Sequence, residues 1–119
     1  MSNCQFVYYI QDLLAPFCRT ALRKVFGCTA FYVNGVMFGF VDSDKLFLKA
    51  DKDAAVYFKS HGSAPFTYQR EGKKVALSYW EVPIDVLEDN MALKVWVDTA
   101  LRAAQLAAAK KRKRKKLDC

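Results

Sequence analysis

"CTAFYVNGVMFGFVDSDKLFLKA", residues 28–50, decides the fold. Asn34-Gly35 sits between two apolar runs, and both residues tolerate the positive φ that a two-residue hairpin turn demands. Before it, Phe31, Tyr32 and Val33 are aromatic or β-branched, as a pleated surface favours. After it, Val36, Phe38 and Phe40 alternate with Met37, Gly39 and Val41. Both sets are apolar, so this strand is expected near the centre of a sheet. Ser43-Asp44 turns the chain again into "KLFLKA". The stretch reads as a meander of up to three antiparallel strands.

Helical periodicity brackets this meander. Upstream, Phe6, Tyr9, Ile10, Leu13, Leu14 and Phe17 share one face of a helix that Pro16 should end. A short basic segment, "RTALRKVFG", then runs to Gly27. Downstream, "DKDAAVYFKSHG" reads as a helix with Asp51 or Asp53 at its start and Gly62 at its end. The strands "PFTYQR" and "KKVALSYWEV" follow, joined at Glu71-Gly72, and Pro83 suits the opening of a short helical turn. A last helix begins near Asp89-Asn90. Its stripe is Leu93, Trp96, Val97, Ala100, Leu101, Ala104 and Ala108, with Asp98 and Arg102 spaced to pair on the opposite side. The order α-βββ-α-ββ-α gives an α+β fold. The expected architecture is a two-layer domain over residues 1–109, with a five-stranded, mainly antiparallel sheet and helices on one side.

Charge separates the two ends of the chain. There are 19 Lys and Arg against 12 Asp and Glu, a net charge of +7. Seven of the cations are consecutive: Lys110, Lys111, Arg112, Lys113, Arg114, Lys115 and Lys116. Without them, 12 cations face 12 anions, Asp118 among the latter, so the rest of the chain is neutral to within a charge, and residues 110–119 form a basic tail that like-charge repulsion should fray. The segment "MSNCQFVYYIQDLLAPFC" has no basic leader and is interrupted by Gln11 and Asp12. It reads as neither signal peptide nor membrane span, and a cytoplasmic location is the default expectation. Cys4, Cys18, Cys28 and Cys119 form no C-x-x-C pair, and His61 is the single histidine, so neither a disulfide framework nor a zinc site is expected.

No catalytic pattern stands out. The sequence has no G-x-G-x-x-G, Walker loop or G-x-S-x-G motif, and no cofactor is expected. Glu81, Asp85, Glu88 and Asp89 cluster near the last strand, where capping and solvation explain them. The aromatics are more informative. Phe31, Tyr32, Phe38, Phe40, Phe47, Phe66, Tyr68, Tyr79 and Trp80 all fall on strands. Three uses are open to them: a core beneath the helices, a platform for stacking bases, or a surface for a partner protein.

The segments "RKVFGCTAFYVNGVMFGFVDSDKLFLKAD" and "PFTYQREGKKVALSYWEVPIDVLEDNMALKVWVDTALRAA" together resemble the N-terminal domain of the TfoX/Sxy family. The matching positions are Arg23, Phe26 and Gly27; Gly35, Met37 and Phe38; 46–49; 65–68; and 78–83, with Tyr79, Trp80 and Pro83, followed by Val86 and Leu87. Cys28 and Ala30 stand where members often carry further glycines. The resemblance implies a small two-layer α/β domain without catalytic activity. It also implies a regulatory role in natural competence, exerted with the cyclic-AMP receptor protein at certain promoters.

A non-catalytic regulatory or adaptor domain is therefore expected, binding a protein partner for which a transcription factor is the natural candidate. The tail should add weak, non-specific attraction to DNA or RNA, because its cations have no scaffold that aims them at base edges. Membrane attachment is not expected, since alanine dominates the apolar stripe beside the cations. The alternative is a nucleic-acid-binding protein in its own right, using the tail with Arg23, Lys24, Lys73, Lys74 and exposed aromatics. Oligomeric state is left open.

Overall fold

The computed structural model describes residues 4–25 and 27–117. Helix α1 (Cys4–Leu14) leads into strands β1 (Ala21–Val25), β2 (Cys28–Val33), β3 (Val36–Asp42) and β4 (Lys45–Lys49). Helix α2 (Lys52–Ser60), strands β5 (Pro65–Arg70) and β6 (Lys73–Glu81), and helices α3 (Ile84–Leu87) and α4 (Asn90–Leu117) complete the chain. The strands form one antiparallel sheet in the order β1-β2-β3-β4-β6-β5. The architecture is the expected α+β layer pair, with six strands among the described residues where five were expected. The additional strand is β1, which lies within the short basic segment "RTALRKVFG". Arg23 and Lys24 separate its two larger apolar residues, which serve opposite faces: Leu22, paired with Phe31, faces the helices, and Val25, paired with Cys28, the other side. A short, charged strand suits a sheet edge, because it discourages further pairing.

Local chemistry sets the element ends. Asn34 and Gly35 take φ values of 52° and 79°, the two positive angles of the hairpin turn between β2 and β3. Asp51, not Asp53, caps α2: its side chain accepts from the Ala54 N–H at 2.8 Å. Asp89 caps α4, accepting from the Met91 and Ala92 N–H groups. On α4 the ion pair is Lys94 with Asp98 at 2.8 Å; Arg102 lines a groove against α2 instead. Pro83 stands one position before α3, a helix of a single turn.

One face of the sheet carries the helices. Val7, Ile10 and Leu14 from α1, Phe58 from α2, Leu87 from α3, and Leu93, Trp96, Val97 and Ala100 from α4 are buried against Phe31, Phe38, Val41, Leu46 and Leu48. Trp96 is fully buried and stacks on Phe58 with ring centroids 4.1 Å apart. Such a pair adds about 0.5–1.5 kcal/mol to the burial of its area.

A bulge in β3 decides which residues reach this core. Phe31 pairs with Gly39, but the next residue, Tyr32, pairs with Met37, so Phe38 is the extra residue. Simple alternation would put Val36, Phe38 and Phe40 on one face. Instead Val36 and Phe38 pack among the helices, while Met37 and Phe40 join a second cluster on the opposite face.

Candidate partner-binding face

That second cluster is built from strands alone. Ala30, Phe40 and Phe47 are buried at its centre, with Val25, Cys28, Tyr32, Met37, Phe66 and Tyr79 packed around them. Phe40 and Phe47 stack at 5.1 Å, and Phe66 meets both edge-on at 5.2 and 5.1 Å. Tyr79 leans on Phe40 at 5.3 Å. Phe40 and Phe47 are only 5% and 6% exposed although no helix residue belongs to the cluster. The rings shield one another.

Beside the ring cluster lies an apolar groove of about 480 Å³. Ala30 and Phe40 line it together with Met37, Cys28 and Leu77. Val25 borders it from one edge strand, and Phe66 and Tyr68 from the other. Since β1 and β5 lie at opposite ends of the sheet order, the sheet curls around the groove. Its volume is within the range of about 300–1,000 Å³ that suits occupied apolar sites.

Polar groups stand at the margin. The Arg23 guanidinium carbon is 5.8 Å from the Tyr32 ring centroid, and Lys49 Nζ is 5.1 Å from that of Tyr79. Lys49 Nζ also donates to Ser78 Oγ at 2.7 Å. Burial, and then the charge of Lys111, hold the Lys49 ammonium below its ordinary pKa. Lys45 and Glu81 form a loose ion pair at 3.8 Å. The Cys28 thiol is pushed up by burial first, then by the charge of Asp42 and a hydrogen bond to its carboxylate. It is thus held as a neutral thiol, a poor nucleophile. Burial, and next Tyr32, raise the Tyr79 hydroxyl.

The positions singled out in the sequence divide between the two faces. Arg23, Met37 and Tyr79 belong to the open face; Phe38 and Trp80 pack on the helix side. Gly27 and Gly35 serve turns with positive φ, and Pro83 precedes α3. Phe26 lies outside the described residues. Lys110 and Lys111 are exposed on α4, whose helix runs to Leu117; the side chains of 112–116 lie outside the described residues. The groove leaves no mark in the sequence. Ala30, Phe40 and Leu77 converge only once the β3 bulge and the sheet's curl are known.

Among the described residues, no three of His, Cys, Asp or Glu are placed to hold a metal ion. His61 sits at the end of α2, with Nδ1 2.9 Å from the Tyr57 carbonyl oxygen and 3.1 Å from Ser60 Oγ. These contacts finish a helix and assemble no nucleophile.

Two comparisons bear on this fold. Protein Sxy of Escherichia coli (strain K12) is 28% identical over 100 residues, which cover 81% of this chain and 48% of Sxy. The chain therefore spans about half the length of that relative. The model of the TfoX N-terminal domain matches residues 12–104, from the end of α1 to the last buried turn of α4. With the match enclosing the whole sheet and both of its faces, the chain belongs to the TfoX N-terminal domain family.

Proposed function

We propose that this chain is a non-catalytic regulatory or adaptor domain of the cytoplasm that binds a protein partner through its open sheet face. One observation carries the reading. The helices seal one side of the sheet, while the other bears an apolar groove that no described helix covers. Contiguous apolar surface of that kind on a soluble domain marks an interaction site. No helix of the described residues is long and apolar enough to cross a membrane.

The ring geometry favours a protein over a nucleic-acid base. Phe40 and Phe47 have their faces on each other, and Phe66 is edge-on to both. Those two faces are taken up by each other, and of the groove's rings Tyr68 is the exposed one, at its edge, whereas the concave groove itself receives apolar side chains. The four domain cations of the alternative reading are also split. Register puts Arg23 and Lys73 on the open face, with Val25 and Val75, and Lys24 and Lys74 on the other. The nucleic-acid contribution is assigned to the cations at 110–116, which begin on the exposed C-terminal part of α4.

The test separates the two activities in the 119-residue chain. Titration with purified cyclic-AMP receptor protein, the partner implied by the family resemblance, should give saturable binding that Leu77→Glu abolishes. Duplex DNA should bind regardless of Leu77→Glu and be lost when 110–116 are changed to Gln. Its log affinity should fall by roughly 0.9 per neutralised phosphate for each tenfold rise in salt. Loss of DNA binding on Leu77→Glu, with the tail intact and the fold unchanged, would sink this division of labour.

A further inference from the structure

The neutral body is not neutral on every face. Period-two alternation from the groove residues assigns the charges on the strands. Arg23 shares the side of Val25, and Lys45 that of Phe47. Arg70 shares the side of Tyr68, and Lys73, its register partner, that of Val75. Lys49 rests on the Tyr79 ring of the same cluster. Among strand residues five cations thus meet two carboxylates on this face, Asp42 and Glu81, with Glu71 in the turn between Arg70 and Lys73. Glu81 is engaged by Lys45, and Asp42 lies against Cys28. Among the described residues, Arg23, Arg70 and Lys73 face no carboxylate within ion-pair distance.

Their placement is as telling as their sign. Arg23 stands at the β1 edge beside Val25, and Arg70 with Lys73 at the turn end of β5 and β6 beyond Tyr68. Positive charge therefore brackets the apolar groove at both edges of the sheet. From this we infer that the groove takes a segment of a partner protein carrying large apolar side chains flanked on both sides by Asp or Glu. This rests on the reading of the open face as a protein-docking surface and specifies what docks there. Apolar anchors supply the buried area, while the carboxylates set orientation and exclude basic segments by like-charge repulsion.

The chain carries its own reporter. Met37 lines the groove, whereas Met91, at the start of α4, is 82% exposed and lies outside it. The 119-residue chain with ¹³C-methyl methionine is titrated with two synthetic peptides. They share the same Leu and Phe anchors, one flanked by Asp and Glu and the other by Lys. The acidic peptide should shift Met37 and leave Met91 in place, with an affinity about tenfold above that of the basic one. The exposed double substitution Arg70→Glu with Lys73→Glu should cancel or reverse that preference. It leaves the tail unchanged, so tail attraction cannot account for the difference. Equal affinities with Met37 shifting would overturn the charge rule while leaving the docking face intact. No Met37 shift with either peptide overturns both. A Met37 shift with single-stranded oligothymidine and none with the peptides would assign the face to nucleic acid.

Discussion

Replacing Gly39 with alanine tests the bulge and the sheet together, because two opposing effects can be weighed. In a strand, Gly→Ala ordinarily stabilises by about 0.5–1 kcal/mol, since glycine loses more backbone freedom on folding. Here a Cβ would stand 2.7 Å from the Phe47 carbonyl oxygen and 2.9 Å from Leu48 Cδ2. The first neighbour is backbone of the adjoining strand, held by the β3–β4 ladder in which Gly39 pairs with Leu48. It cannot swing away like a side-chain tip, and Leu48 is fully buried. Forced overpacking of this kind costs about 1–3 kcal/mol. The clash outweighs the entropy gain, so Gly39→Ala should destabilise by about 1–2 kcal/mol. For a domain of this size that lowers Tm by about 4–8 °C, and the urea midpoint by roughly 0.5–2 M. Circular dichroism melts and urea titrations of both chains measure it directly. A variant as stable as the parent, or more so, would refute the close approach of β3 to β4 at this point.

Other substitutions probe separate links. Asp51→Ala should cost about 1 kcal/mol and Asp51→Asn nearly nothing, because Asn also accepts from the Ala54 N–H; urea midpoints distinguish the two. Trp96→Ala removes the buried partner of Phe58 and should cost about 3–5 kcal/mol, visible as a large fall in Tm. The Cys28 thiol should react with iodoacetamide more slowly than a free thiol at mildly alkaline pH, and Asp42→Asn should speed it by removing an anion that opposes the thiolate. Burial raises the pKa of Cys18, Cys28 and Tyr79, so the fold prefers their protonated forms. Their contribution is complete at neutral pH and declines as pH climbs through the range where free thiols and phenols ionise. Lys49, with its pKa lowered, works in the opposite sense. Stability followed by urea titration should therefore drop on the alkaline side, three groups against one.

The sheet was legible in the sequence because its signals are local. Asn34-Gly35 and Glu71-Gly72 mark hairpins by backbone chemistry alone, and the stripe from Leu93 to Ala104 needs only helical spacing. What escaped was relational. Strand β1 has one residue in the helix-side core, Leu22, and its pattern emerges only against β2. The bulge at Phe38 leaves no mark in a stretch apolar at nearly every position, since any register gives a plausible face there. The groove is harder still, as it gathers residues from five strands through the curl of the sheet. Net charge misled in a related way. Outside 110–116 the chain has 12 cations and 12 anions, balanced in sum, yet register collects positive charge around one face.

These features form one causal chain. The Phe38 bulge divides the aromatic content of β3, sending Phe38 to the helices and Phe40 to the opposite face. Without that reversal Phe38 and Phe40 would compete for the same layer, and the far face would lose its central ring. Gly39, the next residue, lets β4 close on the distorted strand, and that closure brings Phe47 onto Phe40 at 5.1 Å. The ring cluster holds its shape without a helix above it, so the neighbouring groove is formed before any partner arrives. A preformed groove has little ordering entropy left to lose on binding. The backbone irregularity that obscures the fold in the sequence is thus also what equips the uncovered face to bind.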